Sequence, residues 1–125
     1  MIQGVGIDIV DVSRIRLAID SWGPLFLRKI YTEKEIQYCT STKNSYEHFA
    51  ARFAAKEAVS KALETGWSGG FRWQDVEIVN EASGKPRVVL YAHVGQLLAR
   101  SRVLLSLSHS ESTVVAVAII EKVDA

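Results

Sequence analysis

Apolar residues alternate with small or polar ones at the start of the chain. Val5, Ile7 and Ile9 are interleaved with Gly4, Gly6 and Asp8, a period of two that predicts a strand over 2–10. The period then lengthens. Ser13-Arg14-Ile15-Arg16-Leu17-Ala18-Ile19 has helical spacing with Ser13 as a candidate N-cap, which predicts a helix over 13–21. Thr32 followed by Glu35 forms a capping-box signature for a helix over 32–41. Phe49 to Leu63 consists almost wholly of good helix formers, six of them alanine, and reads as a long helix over 46–64 stopped by Gly66, Gly69 and Gly70. Strands at 74–80 and 86–91, a helix at 92–101, and strands at 103–109 and 113–122 complete the order. Helices early and strand pairs late imply an α+β domain with an antiparallel sheet and a long central helix, a single unit over 1–125. The unbroken apolar run Val114 to Ile120 implies a strand covered on both faces, by the chain's own helices or by a neighbouring subunit.

Composition adds bounds. A chain of 125 residues with 48% hydrophobic and 23% charged residues suits one domain with a real core. A net charge of +1 argues against non-specific binding of nucleic acid. The single cysteine, Cys39, excludes an internal disulfide and fits a reducing compartment. The N-terminus lacks the pattern of a secretion signal and no apolar run is long enough to cross a bilayer, so a cytoplasmic protein without a membrane association is expected.

Four segments carry candidate chemistry. Glu57 and Lys61 lie one turn apart on one face of the long helix, bordered by Ala50 and Ala54. Such a pair often only stabilises a helix by about 0.2–0.5 kcal/mol, but alanines beside it suit close approach by a ligand or another backbone. Asp8 is unusual among strong strand formers, and Gly4 and Gly6 leave room there for a hard cation, phosphate and water. Asn80 to Pro86 reads as a hairpin turn: Gly84 supplies the dihedral freedom and Pro86 holds Lys85 extended at the tip. His109 stands between Ser108 and Ser110 at the mouth of a second hairpin, placed to hydrogen-bond a phosphate. Lys56 falls away from Lys61 on the helical wheel and is expected to be solvated.

In this order and at these separations, Gly-Ile-Asp-Ile-Val-Asp (6–11), Arg-Phe-Ala-Ala-Lys-Glu-Ala-Val-Ser-Lys-Ala (52–62), Gly-Lys-Pro (84–86) and Leu-Ser-Leu-Ser-His-Ser (105–110) resemble the holo-[acyl-carrier-protein] synthase family, the small 4′-phosphopantetheinyl transferases. The resemblance covers essentially the whole chain. It implies the transferase fold and transfer of the phosphopantetheine arm of coenzyme A to a serine of an apo acyl carrier protein, releasing adenosine 3′,5′-bisphosphate in the service of fatty acid biosynthesis. Asp8 and Glu57 match the family's Mg²⁺ ligands, in keeping with the habit of Mg²⁺ to take one or two carboxylates plus substrate phosphates. Lys61 would neutralise or protonate the leaving phosphate. Glu57, directly or through a water on the metal, is the candidate for removing the serine proton. Arg52, Lys85, Pro86 and His109 would meet the nucleotide end of coenzyme A. Lys43 stands in a loop where relatives place an arginine, offering a point charge instead of a fork. Arg14, with Arg16, Arg28 and Lys29, would face the acidic carrier protein. Family members of this length form homotrimers with sites at the subunit boundaries. A non-catalytic module that binds coenzyme A or a carrier protein is the alternative reading, against which the retained Asp8, Glu57 and Lys61 speak.

Overall fold

The computed structural model describes residues 1–63, 66 and 70–123; Glu64 and Gly69, part of the expected helix end, lie outside the described residues. The element order is β1 (Ile2–Asp11), α1 (Val12–Trp22), α2 (Pro24–Ile30), α3 (Glu33–Ser41), α4 (Ser45–Ala62), a 3₁₀ turn (Trp73–Asp75), β2 (Val76–Asn80), β3 (Pro86–Leu90), α5 (Ala92–Leu97), β4 (Ser101–His109) and β5 (Thr113–Lys122). All pairing is antiparallel. The strands form a three-stranded sheet in the order β1-β5-β4 and a separate two-stranded sheet, β2-β3.

The helix α4 lies across β1 and β5, and small residues let it come close. Ala54, Ala58 and Ala62 of the helix are buried against Ala116 and Ala118 of β5. Gly4 and Gly6 of β1 meet the helix backbone itself: a Cβ on either would fall 1.9 Å from a carbonyl oxygen, of Ala62 and Ala58 respectively. The space left by the missing side chains of Gly4 and Gly6 is therefore filled by α4. At Ala58 and Ala62 of the helix, the backbone of β1 has come close. Larger side chains, Val10, Val114 and Ile120, close the core at the ends of the contact, each worth about 1.5–3 kcal/mol on burial.

β5 alternates after all. Val114, Ala116, Ala118 and Ile120 are buried beneath α4, while Val115, Val117 and Ile119 are half-buried on the other side. That outer face carries Val5, Ile7 and Ile9 at 59–65% exposure. Within one chain the run is thus covered on one face only.

Other boundaries shift for identifiable reasons. The helix α1 begins at Val12 with Asp11 as N-cap, so Ser13 is not the cap. The expected capping box is present: the Thr32 hydroxyl accepts from the Glu35 N–H at 3.3 Å, and the Glu35 carboxylate from the Thr32 N–H at 2.9 Å. α2 was not expected; Pro24 at its first turn, after Gly23, is the signal that reveals it. Arg72 and Asp75 pair at 3.2 Å across the 3₁₀ turn, which delays β2 to Val76. α5 ends at Leu97, and β4 starts two residues earlier than the alternation suggested.

Lys56 is not solvated. Its side chain is completely buried, with the ammonium 2.8 Å from Glu35 Oε1, 3.0 Å from the Trp73 carbonyl, and donating also to the Val76 carbonyl. Burial pushes its pKa down, against the opposing pull of Glu35. Glu35 Oε2 also accepts from the Ile78 N–H at 2.9 Å. This ion pair ties α3, α4 and the start of β2 together. No helix among the described residues is long and apolar enough to cross a membrane.

Candidate active site

Asp8 faces α4, in line with Gly4, Gly6 and Val10 on the inner side of β1. Its Oδ1 lies 3.0 Å from Lys61 Nζ, which also donates to the Ile7 carbonyl at 3.1 Å. The Asp8 side chain is 14% exposed and that of Lys61 is 52% exposed. A pair this open adds at most about 1 kcal/mol, so its significance is geometric: it fixes a carboxylate from the first strand beside an ammonium from the long helix. Glu57, one turn before Lys61, is half-buried on the same side of α4. The structure therefore brings Asp8 and Lys61 into contact and sets Glu57 on the adjoining turn.

A second group of predicted residues lies elsewhere. Arg52 and Lys61 are nine residues apart, half a revolution around the helix and about 13 Å along it. Arg52 is buried at 4% exposure against the β2-β3 side, where Nη2 donates to Asn80 Oδ1 at 2.7 Å and the guanidinium covers the Tyr38 ring at 4.4 Å. Its Nε has no hydrogen-bond partner among the described residues. Lys34, Tyr38, Arg52 and Asn80 line a cleft of about 200 Å³ here. The expected hairpin forms as read, with Gly84 at φ +91°, Pro86 paired with Asn80 at the start of β3, and Lys85 exposed at the tip. Lys43 is exposed in the turn between α3 and α4.

His109 ends β4, and its Nδ1 lies 3.0 Å from Glu47 Oε1 near the start of α4. Ala116 of β5 pairs with both Asp8 and Leu107. His109 is thus two strands across and two residues along from Asp8, a backbone separation of about 12 Å. The neighbouring His48 packs edge-on to Tyr38 at 5.5 Å, and burial, then the charge of Arg52, hold its pKa below the usual value.

Arg14 and Arg16 project from α1, and Arg28 and Lys29 from the last turn of α2; all four are exposed. Arg16 is engaged by its own neighbours, 3.7 Å from Asp20 and 5.0 Å from the centre of the Tyr46 ring, while the Tyr46 hydroxyl donates to Asp20 at 2.5 Å. Beside them Leu17, Trp22 and Leu25 are 65–75% exposed. Sequence reasoning missed this apolar patch, and it missed Asn80, Tyr38 and Glu47 as partners of the predicted residues. The Trp-Gly-Pro break at 22–24 was the available signal for the patch; the three partners had none, since they become neighbours only on folding.

A carboxylate and a lysine in contact across β1 and α4, with Glu57 on the adjoining turn and a distinct basic cleft behind the helix, is the arrangement to set beside known proteins. The model of the 4′-phosphopantetheinyl transferase superfamily matches residues 4–118. The chain belongs to that superfamily. It is 45% identical over 125 residues to the holo-[acyl-carrier-protein] synthase of Geotalea daltonii, covering 98% of this chain and 100% of that one. Among solved structures, the holo-[acyl-carrier-protein] synthase of Neisseria meningitidis superposes with a TM-score of 0.90 at 36% identity, covering 98% of this chain and 100% of the other. The Bacillus anthracis synthase, solved in complex with CoA (3′,5′-ADP), gives 0.83 at 36% identity over 98% of both chains. The transferase fold expected from the motifs is thus the fold observed.

Proposed function

We propose that this chain is a holo-[acyl-carrier-protein] synthase: it transfers the 4′-phosphopantetheine arm of coenzyme A to a serine of apo acyl carrier protein, with Mg²⁺, in the cytoplasm, supplying fatty acid synthesis. The observation that carries the reading is the contact of Asp8 with Lys61 at 3.0 Å, which unites residues 53 apart in sequence on the side of α4 that bears Glu57.

The donor set fits a hard cation. Asp8 and Glu57 supply oxygen only, and among the described residues no cluster of three or more histidine, cysteine or acidic side chains forms a closed metal cage. Two carboxylates with remaining positions left to water and phosphate is the Mg²⁺ pattern. Asp8 and Glu57 would hold the ion, which when bound neutralises charge on the diphosphate of coenzyme A.

The residues then divide the work. The serine hydroxyl of the carrier attacks the phosphorus that bears the pantetheine; a new P–O bond forms, and the bond to the adenosine bisphosphate breaks. Glu57, directly or through a water, would accept the serine proton. Lys61 would donate toward the oxygen that leaves with the nucleotide, a role its half-exposed ammonium suits, held as it is beside Asp8 and the Ile7 carbonyl. Chemistry of this kind asks mainly for positioning and charge neutralisation. Arg52, Lys85 and Pro86 would hold the nucleotide, joined by His109 and, at the loop, Lys43. Arg14, Arg16 and Arg28 would meet the acidic carrier, with the apolar patch at Trp22 and Leu25 beside them.

Arg52 lies on the opposite side of α4 from Lys61, so within one chain the two groups open onto different faces of the helix. A homotrimer with sites at the subunit boundaries resolves this, and the open apolar face at Val5, Ile7 and Ile9 supports such an assembly. Ile7→Glu should yield monomers by light scattering and lose transfer activity.

The deciding assay incubates the protein with coenzyme A, Mg²⁺ and an apo carrier and weighs the carrier by mass spectrometry. Addition of one phosphopantetheine arm is expected, abolished by Asp8→Asn or Glu57→Gln with the fold intact. Unmodified carriers in the presence of tight coenzyme A binding would favour the binding-module reading instead.

A further inference from the structure

We infer that Asn80 is a positioning residue: it holds the Arg52 guanidinium and the 81–86 turn in one fixed relation, so that both meet the same anionic ligand. The inference rests on the reading of Arg52, Lys85 and Pro86 as contacts for the phosphates of coenzyme A. Asn80 opens the 80–86 turn with no role of its own in the sequence reading, yet its side chain lies between Arg52 and that turn.

Its side-chain amide is used at both ends. Oδ1 accepts from Arg52 Nη2 at 2.7 Å, and Nδ2 donates to the Gly84 carbonyl at 3.0 Å. An amide offers its acceptor and its donors on two separate atoms of one short, planar side chain. Its backbone position is fixed as well, since Asn80 pairs with Pro86 in the β2-β3 ladder. Motion of the turn is thereby linked to motion of the guanidinium through one rigid group.

The charge state of Arg52 is the second argument. A buried guanidinium is normally matched by a carboxylate. Arg52 is 4% exposed, has no carboxylate within ion-pair distance among the described residues, and leaves Nε without a hydrogen-bond partner. The protein grips it with a neutral amide on one side and the Tyr38 ring on the other. That grip orients the fork without cancelling its charge, and the cleft that Arg52 lines remains for an anion. An aspartate at position 80 would hold Arg52 more strongly but neutralise it and lose the donor to Gly84.

The test measures coenzyme A affinity by calorimetry and steady-state kinetics for Asn80→Ala, Asn80→Asp, Arg52→Met and the Asn80→Ala/Arg52→Met pair. Because a hydrogen bond to a charged group is at stake, Asn80→Ala should raise Kd and KM about tenfold while kcat falls less than threefold. Asn80→Asp should weaken affinity at least as much, despite its stronger grip on Arg52. The double variant should bind no worse than Arg52→Met alone, as expected when one residue acts through the other. Asn80→Ala within twofold of the parent, or multiplying effects in the double variant, overturns the inference while leaving Arg52 as a ligand contact. No effect of Arg52→Met on affinity overturns the underlying reading of Arg52, and the role of Asn80 with it. If Arg52→Met does not fold, Arg52→Lys, which keeps the charge and removes the fork, takes its place under the same criteria.

Discussion

Replacing Gly6 by alanine tests whether the contact between β1 and α4 sets the geometry of the site. A Cβ at position 6 would lie 1.9 Å from the Ala58 carbonyl oxygen and 2.7 Å from the Ala62 nitrogen. Real Cβ atoms essentially never come within 3.0 Å of such atoms, so strand and helix must part by at least the 1.1 Å difference between 1.9 and 3.0 Å. Neither side yields easily: both atoms are backbone, and β1 is hydrogen-bonded along its length to β5. Forced overpacking costs about 1–3 kcal/mol, and a backbone clash on both counts belongs at the upper end. At roughly 4 °C per kcal/mol for a chain of this size, Tm should fall by about 10 °C.

The rate should suffer more than stability alone explains. Asp8 is two residues from Gly6 and meets Lys61 across the same contact. A displacement of about 1 Å between reacting groups can cost a factor of about 100. Gly4→Ala is the control, because its Cβ would meet the Ala62 carbonyl oxygen at the same 1.9 Å but four residues from Asp8. It should lower Tm comparably and the transfer rate by less than tenfold. Scanning calorimetry and single-turnover modification of the carrier measure the two quantities. If Gly6→Ala melts within 1 °C of the parent and transfers at the parental rate, on the order of nothing lost by either measure, the glycines are not there for close approach.

Three further outcomes follow from the charged groups. Lys56→Met strands the buried Glu35 carboxylate and should cost about 3–5 kcal/mol in urea denaturation, with much of it recovered when Glu35→Leu is added; a loss below about 1 kcal/mol would mean the pair is solvated in solution. Lys61→Ala should lower kcat by about 100-fold with coenzyme A affinity changed little, whereas an effect on affinity alone would make Lys61 a phosphate contact. His48 has a folded-state pKa below its unfolded value, held down first by burial, so the unfolded chain takes up the proton first as pH falls through about 6.5. Folding stability should therefore decline from that point toward lower pH, and His48→Gln should flatten that part of the Tm–pH profile; an unchanged slope refutes the shift.

What the sequence made legible were features that depend on neighbours along the chain. The capping box at Thr32 and Glu35 is one, and the hairpin at Gly84 is another. Asp8, Glu57 and Lys61 stood out because a carboxylate among strand formers and an opposite-charge pair beside alanines are locally odd, and folding brings Asp8 and Lys61 into contact. Lys56 was misread because a wheel drawn for one helix does not show that α3 brings a carboxylate to the far side. Glu35 looked fully explained by its cap, and its second role with Lys56 and the Ile78 N–H appears only in three dimensions. The glycines of β1 were seen as open space for the same reason: the sequence shows the missing side chains but not the helix that fills them.

The long helix reconciles these findings. A helix that serves two subsites must present charge on two sides while remaining the core of the domain, which ordinarily conflicts, since core helices bury apolar stripes and expose polar ones. Here alanine resolves the conflict. With Ala54, Ala58 and Ala62 providing a narrow stripe against β1 and β5, the remaining circumference is free for Glu57 and Lys61 on one side and Arg52 and Lys56 on the other. The two buried cations are stabilised differently, and the difference follows function. Lys56 is fully compensated by Glu35 and is structural; Arg52 is held by a neutral amide and an aromatic face and keeps its charge. Matching both with carboxylates would have served stability alone, so under the proposed function the uncompensated Arg52 is the group left to meet an anion that the chain itself does not supply.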